Sequence, residues 1–252
     1  MKIHLMTHTG QPLKAIVAAQ LNIGTGRDVI SFDQIGEGEA QTVFGDLIKG
    51  FLNSPLEFAS FNFFWQDVPI FLVRELVRHR IGWSYAERSL RFFDATKRDP
   101  TAHVDLNHYP SLVPDNPNTM RVIEEFQEQM LMYKEMLTLG VTAQDARSVI
   151  GVWYPTAIQT SCSYRALRDM LSLRLSSQAH PAWQDAALQI KSLVTRVSSP
   201  LGDGLVDVCT IQGRCVWQSK LDRPCESCAE KGRKPNHVHM FDEGQCSCGV
   251  MQ

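Results

Sequence analysis

The sequence predicts an α+β fold in which a mixed core of strands and helices, residues 1–200, is followed by a small cysteine-rich, zinc-binding module, residues 201–252. Three observations carry that expectation. Two short stretches, MKIHLMTH and the aromatic-rich FASFNFFW, have the composition and alternation of strands. Several longer segments repeat apolar residues at the three-to-four spacing of a helix that buries one face. From Ser198 onward the helical period gives way to Pro, Gly, Lys, Arg and Cys.

The elements follow in order. Residues 1–8 form a first strand, and DVISF at 28–32 reads as a second strand or an extended segment. Val43, Leu47, Ile48 and Phe51 mark a helix over 38–51, stopped by Asn53, Ser54 and Pro55. Residues 58–65 are the aromatic strand. Pro69 opens a helix running to Arg80, with Phe71, Leu72, Leu76 and Val77 inward and two polar stripes, Arg74 with Arg78 and Glu75 with His79. Asp94 to Asn118, rich in Asp, Pro and Asn, reads as a long irregular loop, a kind that is often functional. Met120 to Leu139 is amphipathic through Val122, Ile123, Phe126, Met130, Tyr133 and Leu137, with Gly140 as its cap. Thr142 to Asp145 resembles a capping box and starts a short helix bearing Arg147. Helices over 165–176 and 181–197 complete the core, the second with a stripe of Trp183, Ala187, Ile190 and Val194.

The 252 residues, 44% hydrophobic and 21% charged, suffice for one substantial core. A net charge of -2 offers no global attraction to nucleic acid or anionic membranes, so anion recognition has to come from local clusters. The N-terminus lacks the apolar run of a secretory signal, and no stretch reaches the roughly 20 apolar residues that span a bilayer. A cytoplasmic protein with no membrane partner is therefore expected.

Six of the seven cysteines fall in the last 44 residues. In a cytosolic chain such crowding indicates a metal site before disulfides. Cys225 and Cys228, then seventeen residues, then Cys246 and Cys248, give two close pairs. Four thiolates at ~2.3 Å satisfy tetrahedral zinc, each pair chelating from one turn. His237 and His239 lie between the pairs and could replace one cysteine, while Cys209 and Cys215 could extend the site or pack as small hydrophobes. An iron-sulfur cluster also accepts four thiolates, although nothing in the spacing favours it. Structural zinc would hold together a tail too poor in large apolar groups to do so alone.

The run RHRIGWSYAERSLR at 78–91 concentrates cations in a mildly acidic chain. One reading is a solvated helix end, where cations complement the dipole. Against it, the arginines continue into a loop with Ser84, Glu87 and Ser89, which could assemble a polyanion pocket. Further arginines lie on later helices, Arg147 on one and Arg165 and Arg174 on another. Arg174 lies four residues after Met170 and seven after Leu167, on the apolar face of its helix, so it needs an interior partner.

The RHR run followed by ERSLR resembles the signature of the flavin-dependent thymidylate synthases. SPLE at 54–57, PIF at 69–71 with Arg74, the stretch from Gly140 to Arg147, and Leu173-Arg174 leading into SQAH at 177–180 resemble further elements of that family, in the same order. The likeness covers about residues 1–200. It implies a central antiparallel sheet flanked by helices and a homotetramer whose sites are built from several subunits. It implies FAD contacts from Ser54, Arg78, His79, Arg80, Glu87, Ser163, Arg165 and Asp169. Glu75, Arg78, Glu87, Arg88, Ser89, Leu90, Arg91, Arg147 and Arg174 would bind the nucleotide. In that scheme Arg174 meets the pyrimidine edge and favours ionisation at N3, activating C5 for catalysis. The implied reaction converts dUMP to dTMP with a one-carbon unit from methylenetetrahydrofolate and a hydride from NADPH through FAD. No protein nucleophile is required, so Ser89 binds substrate and Cys162 packs.

The chain also departs from that family. Eight residues, Ile81 to Arg88, separate RHR from Ser89, one more than is usual, the addition falling near Gly82 and Trp83. Ala86, Ser163 and Asp169 stand where asparagines are common, and Glu75 where a glutamine is familiar. A carboxylate there removes a donor and adds an acceptor. It could accept from the amine of cytosine, orient a water for hydroxymethylation, or merely pair with Arg74, Arg78 or His79. A related C5-modifying enzyme acting on dCMP, or making a hydroxymethyl product, is therefore an alternative. A second class of reading is a non-catalytic nucleotide or nucleic-acid binder with a zinc module.

Overall fold

The computed structural model describes residues 1–24, 29–50, 53–91, 95, 117–213, 215 and 216. Strand β1 is Lys2–His8, followed by α1, Pro12–Gly24, and α2, Glu37–Lys49. Strand β2, Ser60–Pro69, leads directly into α3, Ile70–Leu76, and then β3, Trp83–Glu87. Helices α4, Pro117–Thr138, and α5, Ala143–Ala146, precede β4, Pro155–Ser163. The remainder is helical: α6, Tyr164–Arg174; α7, Pro181–Val197; α8, Ser199–Asp203; and α9, Val208–Gln212.

The four strands form one antiparallel sheet in the order β1-β2-β4-β3. Strand β2 sits between β1 and β4, and its alternating Phe61, Phe63 and Trp65 are all fully buried. That alternation is the strand period written in aromatics, and each such ring removes a large apolar area from water. Trp65 donates its indole N–H to the Thr160 hydroxyl on β4 at 3.1 Å and meets Trp183 of α7 edge to face at 6.0 Å. Helices α1, α2, α6 and α7 complete this main core through Ile16, Phe44, Leu167 and Ile190. A second, smaller core gathers Phe126, Met130 and Tyr133 of α4 with Ala95, Ala146 and Tyr154.

Several expectations are met in detail. The apolar stripe of α4 points inward through Phe126, Met130 and Tyr133, and Gly140 ends the segment at φ +84°. Thr142 caps α5 by accepting from the Asp145 amide. The stripe Trp183, Ala187, Ile190 and Val194 is wholly buried.

Others need correction. Of the two readings of residues 28–32, the strand does not form over the described residues 29–32: Ser31 is extended, Ile30 is tied to Asn22 and a 3-10 turn begins at Phe32. The helix expected through Arg80 stops at Leu76, because the Tyr85 hydroxyl of β3 reaches the carbonyls of Leu76 and His79 and holds a turn there. Residues 83–87, read as loop, are instead the edge strand β3 on β4. Of the long loop expected over 94–118, residues 94 and 96–116 lie outside the described residues, and α4 already starts at Pro117. Helix α1 and strand β4 have no counterpart in the sequence reading. Eight of the thirteen α1 positions are buried, so it lacks the polar face that makes a helical period visible. The main core also runs on past residue 200: Leu201 and Leu205 are fully buried in it, and the Tyr164 hydroxyl donates to the Leu201 carbonyl at 2.7 Å.

Candidate active site

The junction of β2 and α3 aims the RHR turn at the start of α6. Helix α6 begins at Ser163, whose hydroxyl accepts from the Ala166 amide, and whose own amide donates to the Gly82 carbonyl at 3.1 Å. Gly82 has φ +71°, and a Cβ there would lie 2.8 Å from the Ala166 Cβ and 3.1 Å from the Ser163 hydroxyl. Only glycine combines that conformation with that approach. Gly82 is thus placed flush against α6.

The turn and the helix enclose a cavity of about 490 Å³. Arg78, His79, Arg80, Gly82, Ser163, Arg165 and Asp169 line it, together with Glu57, Ile81, Trp83 and Ala166. Three guanidinium groups and an imidazole, Arg78, His79 and Arg80 from the turn and Arg165 from α6, suit a polyanion such as a pyrophosphate, since arginines can bind phosphate bidentately. Arg165 donates to Glu57 at 2.7 Å, which fixes its head across the cavity mouth. Burial raises the pKa of Asp169, while Arg165 and Arg168 act against that rise. Ser54 is exposed and is not part of this wall; Glu57 of the same 3-10 turn, Ser54–Phe58, is. Glu87, at the far end of β3, is not part of it either, and burial raises its carboxyl pKa.

A second group lies at the ends of α3 and α6. The interior partner that Arg174 requires is Glu75, at 3.1 Å. The same Glu75 oxygen accepts from the Trp183 indole N–H at 2.8 Å, and the Arg174 guanidinium lies 4.5 Å from the centre of the Trp183 ring. Glu75 thus holds Arg174 flat over an aromatic face. The Arg174 Nε is buried without a hydrogen-bond partner among the described residues. Burial, and then the Arg174 charge, lower the pKa of His79, with Glu75 acting the other way. Glu75 does not depend on Arg74, Arg78 or His79 for a partner.

The remaining predicted nucleotide ligands form a third group. The Arg88 amide donates to the Ala157 carbonyl, and the Arg91 amide to the Ser89 hydroxyl at 3.3 Å, giving a tight turn after β3. Leu90 anchors this turn in the second core, beside buried Ala146, which precedes Arg147. Arg147 is exposed, its Nε donating to the Gln144 carbonyl. The ERSLR turn and Arg147 therefore flank one small core, while RHR faces the larger cavity.

Glu57 and Trp183 are the contributors that residue-by-residue reading left out of the site. Trp183 is indistinguishable in sequence from a core tryptophan, and Glu57 gains meaning only once Arg165 stands opposite. Cys162 is buried and its thiol pKa pushed up by burial, as befits a packing residue. The candidate zinc ligands Cys225, Cys228, Cys246 and Cys248 lie outside the described residues. Among the described residues no group of three or more His, Cys, Asp or Glu could hold a metal, and no helix is long and apolar enough to cross a membrane.

Comparison with known proteins bears on the family and the fold. The family model described as thymidylate synthase complementing protein matches residues 4–198. A flavin-dependent thymidylate synthase of Streptomyces avermitilis is 27% identical over 187 residues, 68% of this chain and 74% of that protein. One from Kosmotoga olearia is 30% identical over 208 residues, 76% and 84% respectively. The crystal structure of the UMP/dUMP methylase PolB from Streptomyces cacaoi, bound with 5-Br dUMP, shares the fold at 22% identity, with a TM-score of 0.61 over 81% of this chain and 93% of that one. The sheet, the helices around it and both basic turns fall inside the matched span, and the chain belongs to the thymidylate synthase complementing protein family, that of the flavin-dependent thymidylate synthases.

Proposed function

We infer that the protein is a flavin-dependent thymidylate synthase that reductively methylates dUMP to dTMP at pyrimidine C5. The observation that carries this is the family match across the whole sheet and its helices, residues 4–198. The cationic cavity between the RHR turn and α6 supports it.

The donor set fits FAD: Arg78, His79, Arg80 and Arg165 face the cavity as counter-ions for a pyrophosphate, with Ser163 and Asp169 as polar neighbours. Bound there, the flavin would supply the hydride obtained from NADPH, and methylenetetrahydrofolate the one-carbon unit. The protein's own part is positional. Arg88, Ser89 and Arg91, with Arg147, offer donors to the nucleotide phosphate. Arg174, set by Glu75 and Trp183, offers donors to the pyrimidine edge, where its charge favours the N3-ionised base and so the nucleophilic C5. Ser54 and Glu87 are not in the cavity wall, so contacts from them to the flavin would need its far portion or another subunit.

The separation of the two basic turns, one on each core, supports a homotetramer in which neighbours complete each other's sites. The cysteine-rich extension beyond residue 200 remains a proposed zinc module with Cys225, Cys228, Cys246 and Cys248 as ligands, and a cytoplasmic location fits this chemistry.

One observation favours a second reading. Because the Glu75 carboxylate engages Arg174, the base-facing pair presents an acceptor as well as donors, which also suits the amine of cytosine. The dCMP or hydroxymethylating alternative is tested in the same experiment. The purified protein is expected to be yellow, and to release tritium from C5-labelled dUMP when given methylenetetrahydrofolate and NADPH, with dTMP identified by mass. Release from dCMP alone, or a hydroxymethyl product, would select the alternative. A colourless protein that cannot be reconstituted with FAD would refute both in favour of a binding protein.

A further inference from the structure

The cavity between the RHR turn and α6 has an apolar side that charge recognition leaves unused. Arg78, His79, Arg80 and Arg165 account for its affinity for a polyanion, yet Ile81, Trp83 and Ala166 line it as well. Ile81 is 91% exposed and Trp83 9%, so a large aliphatic side chain stands in water at the cavity near a ring that is otherwise buried. Phosphate oxygens gain nothing from such a surface. A ligand that carries a planar ring beside its phosphates does.

The indole of Trp83 is held in advance. Trp83 pairs with Cys162 in the register of β3 on β4, and the Gly82 carbonyl just before it accepts from the Ser163 amide at the start of α6. The Trp83 ring lies parallel to that of Tyr85, with 2° between their planes and 6.0 Å between their centres. The Tyr85 hydroxyl in turn reaches the Leu76 and His79 carbonyls. Indole and RHR turn are thus braced against each other, and a ring already fixed loses little freedom when a ligand lies against it. Trp83 packs in the main core and lines the cavity at once, which a tryptophan serving the core alone would not do.

We propose that Trp83 is a cofactor-binding residue whose indole is the apolar surface for a planar ring of the flavin dinucleotide, beside the cations that take its pyrophosphate. This rests on the reading of the cavity as the FAD site, and adds to it a residue that supplies ring contact in place of charge. Both ring systems of that molecule, isoalloxazine and adenine, have the flat face that an indole accepts.

Titration of FAD into the full-length chain stripped of flavin, wild type against Trp83→Leu, tests it, with flavin fluorescence and circular dichroism recorded. Trp83→Leu is expected to bind FAD about tenfold more weakly with its helical signal retained, and Trp83→Phe, which keeps a ring, to recover most of that loss. With isoalloxazine as the ring in contact, flavin bound to Trp83→Leu is also brighter, because a touching indole quenches it. With adenine in contact, ADP loses affinity by the same factor and brightness is unchanged. Equal FAD affinity in wild type and Trp83→Leu, or a weaker affinity with neither of those signatures, would overturn the proposal and leave the FAD site standing. A wild type that binds no FAD would overturn both. Should Trp83→Leu fail to fold, wild type labelled with 5-fluorotryptophan decides. The fluorine signal missing from Trp83→Phe belongs to Trp83; it is expected to shift on adding FAD, and a signal that stays in place would overturn the proposal.

Discussion

Gly82 carries two constraints that add. Its φ of +71° is unfavourable for any side chain, and its Cα faces the Ala166 Cβ. Gly82→Ala is expected to cost about 1–3 kcal/mol of stability, the size of a strained backbone position, and to weaken flavin retention because the cavity wall shifts. Urea midpoints and flavin absorbance of the two proteins check this. Glu75 poses the opposite case. Its ion pair with Arg174 is partly exposed, 22% and 38% at the two side chains, so Glu75→Gln should change stability by no more than ~1 kcal/mol. What should change is function, since an amide leaves the Arg174 charge less neutralised. The variant is expected to bind dUMP more tightly relative to dCMP than the wild type does, as measured by competition. Arg174→Ala, which removes the charge itself, should lower turnover on the order of a hundredfold or more with folding retained.

Among the elements, the turn between α3 and β3 governs the site. The Tyr85 hydroxyl holds it through the Leu76 and His79 carbonyls, so Tyr85→Phe should cost about 1 kcal/mol and loosen the RHR wall. His79 on this turn also predicts a pH dependence. Its folded-state pKa lies below the ordinary 6.5, so as pH falls the unfolded chain takes up this proton first. Stability from this group is complete above pH 6.5 and declines below it until the folded-state pKa is reached. Asp169 and Glu87, raised by burial, work in the reverse sense at lower pH, favouring the folded state while protonated and losing that advantage as pH rises through their folded-state values. The drop in urea midpoint below pH 6.5 should therefore be smaller in His79→Gln. This is also where sequence legibility ran out. A stripe of Phe71, Leu72, Leu76 and Val77 announces a helix, but its end is set by a hydroxyl from a strand that forms only when β4 is there to pair with it. Likewise β3 and β4 mix polar and apolar residues without a clean alternation, whereas α4 and α7, each with a full polar face, were readable from spacing alone.

At the scale of the whole molecule, α8 and Leu205 belong to the main core although the change in composition begins at Ser198. Composition reports where long periodic helices stop, not where burial stops, and five-residue helices are too short to show a period. A chain ending at Val206 should keep its flavin and its denaturation midpoint. One ending at Val197 loses Leu201 and Leu205 and should lose several kcal/mol, at ~2–5 kcal/mol for each buried leucine removed. The basic run, by contrast, was visible as chemistry from the first, because cations crowded in one place need no fold to be noticed; that it serves two different cores was not.

The five residues of β3 lie between those two cationic turns. At ~3.3 Å per residue the strand is a ruler about 16 Å long, stiffened by its pairing with β4 along its whole length. A mononucleotide is shorter than that. On the proposed reading, one small substrate cannot touch both ends of the ruler within a single chain, and the two turns would be gauged for two separate molecules. Lengthening or shortening β3 by a residue pair would then reset the spacing between cofactor and substrate without altering the chemistry of either end.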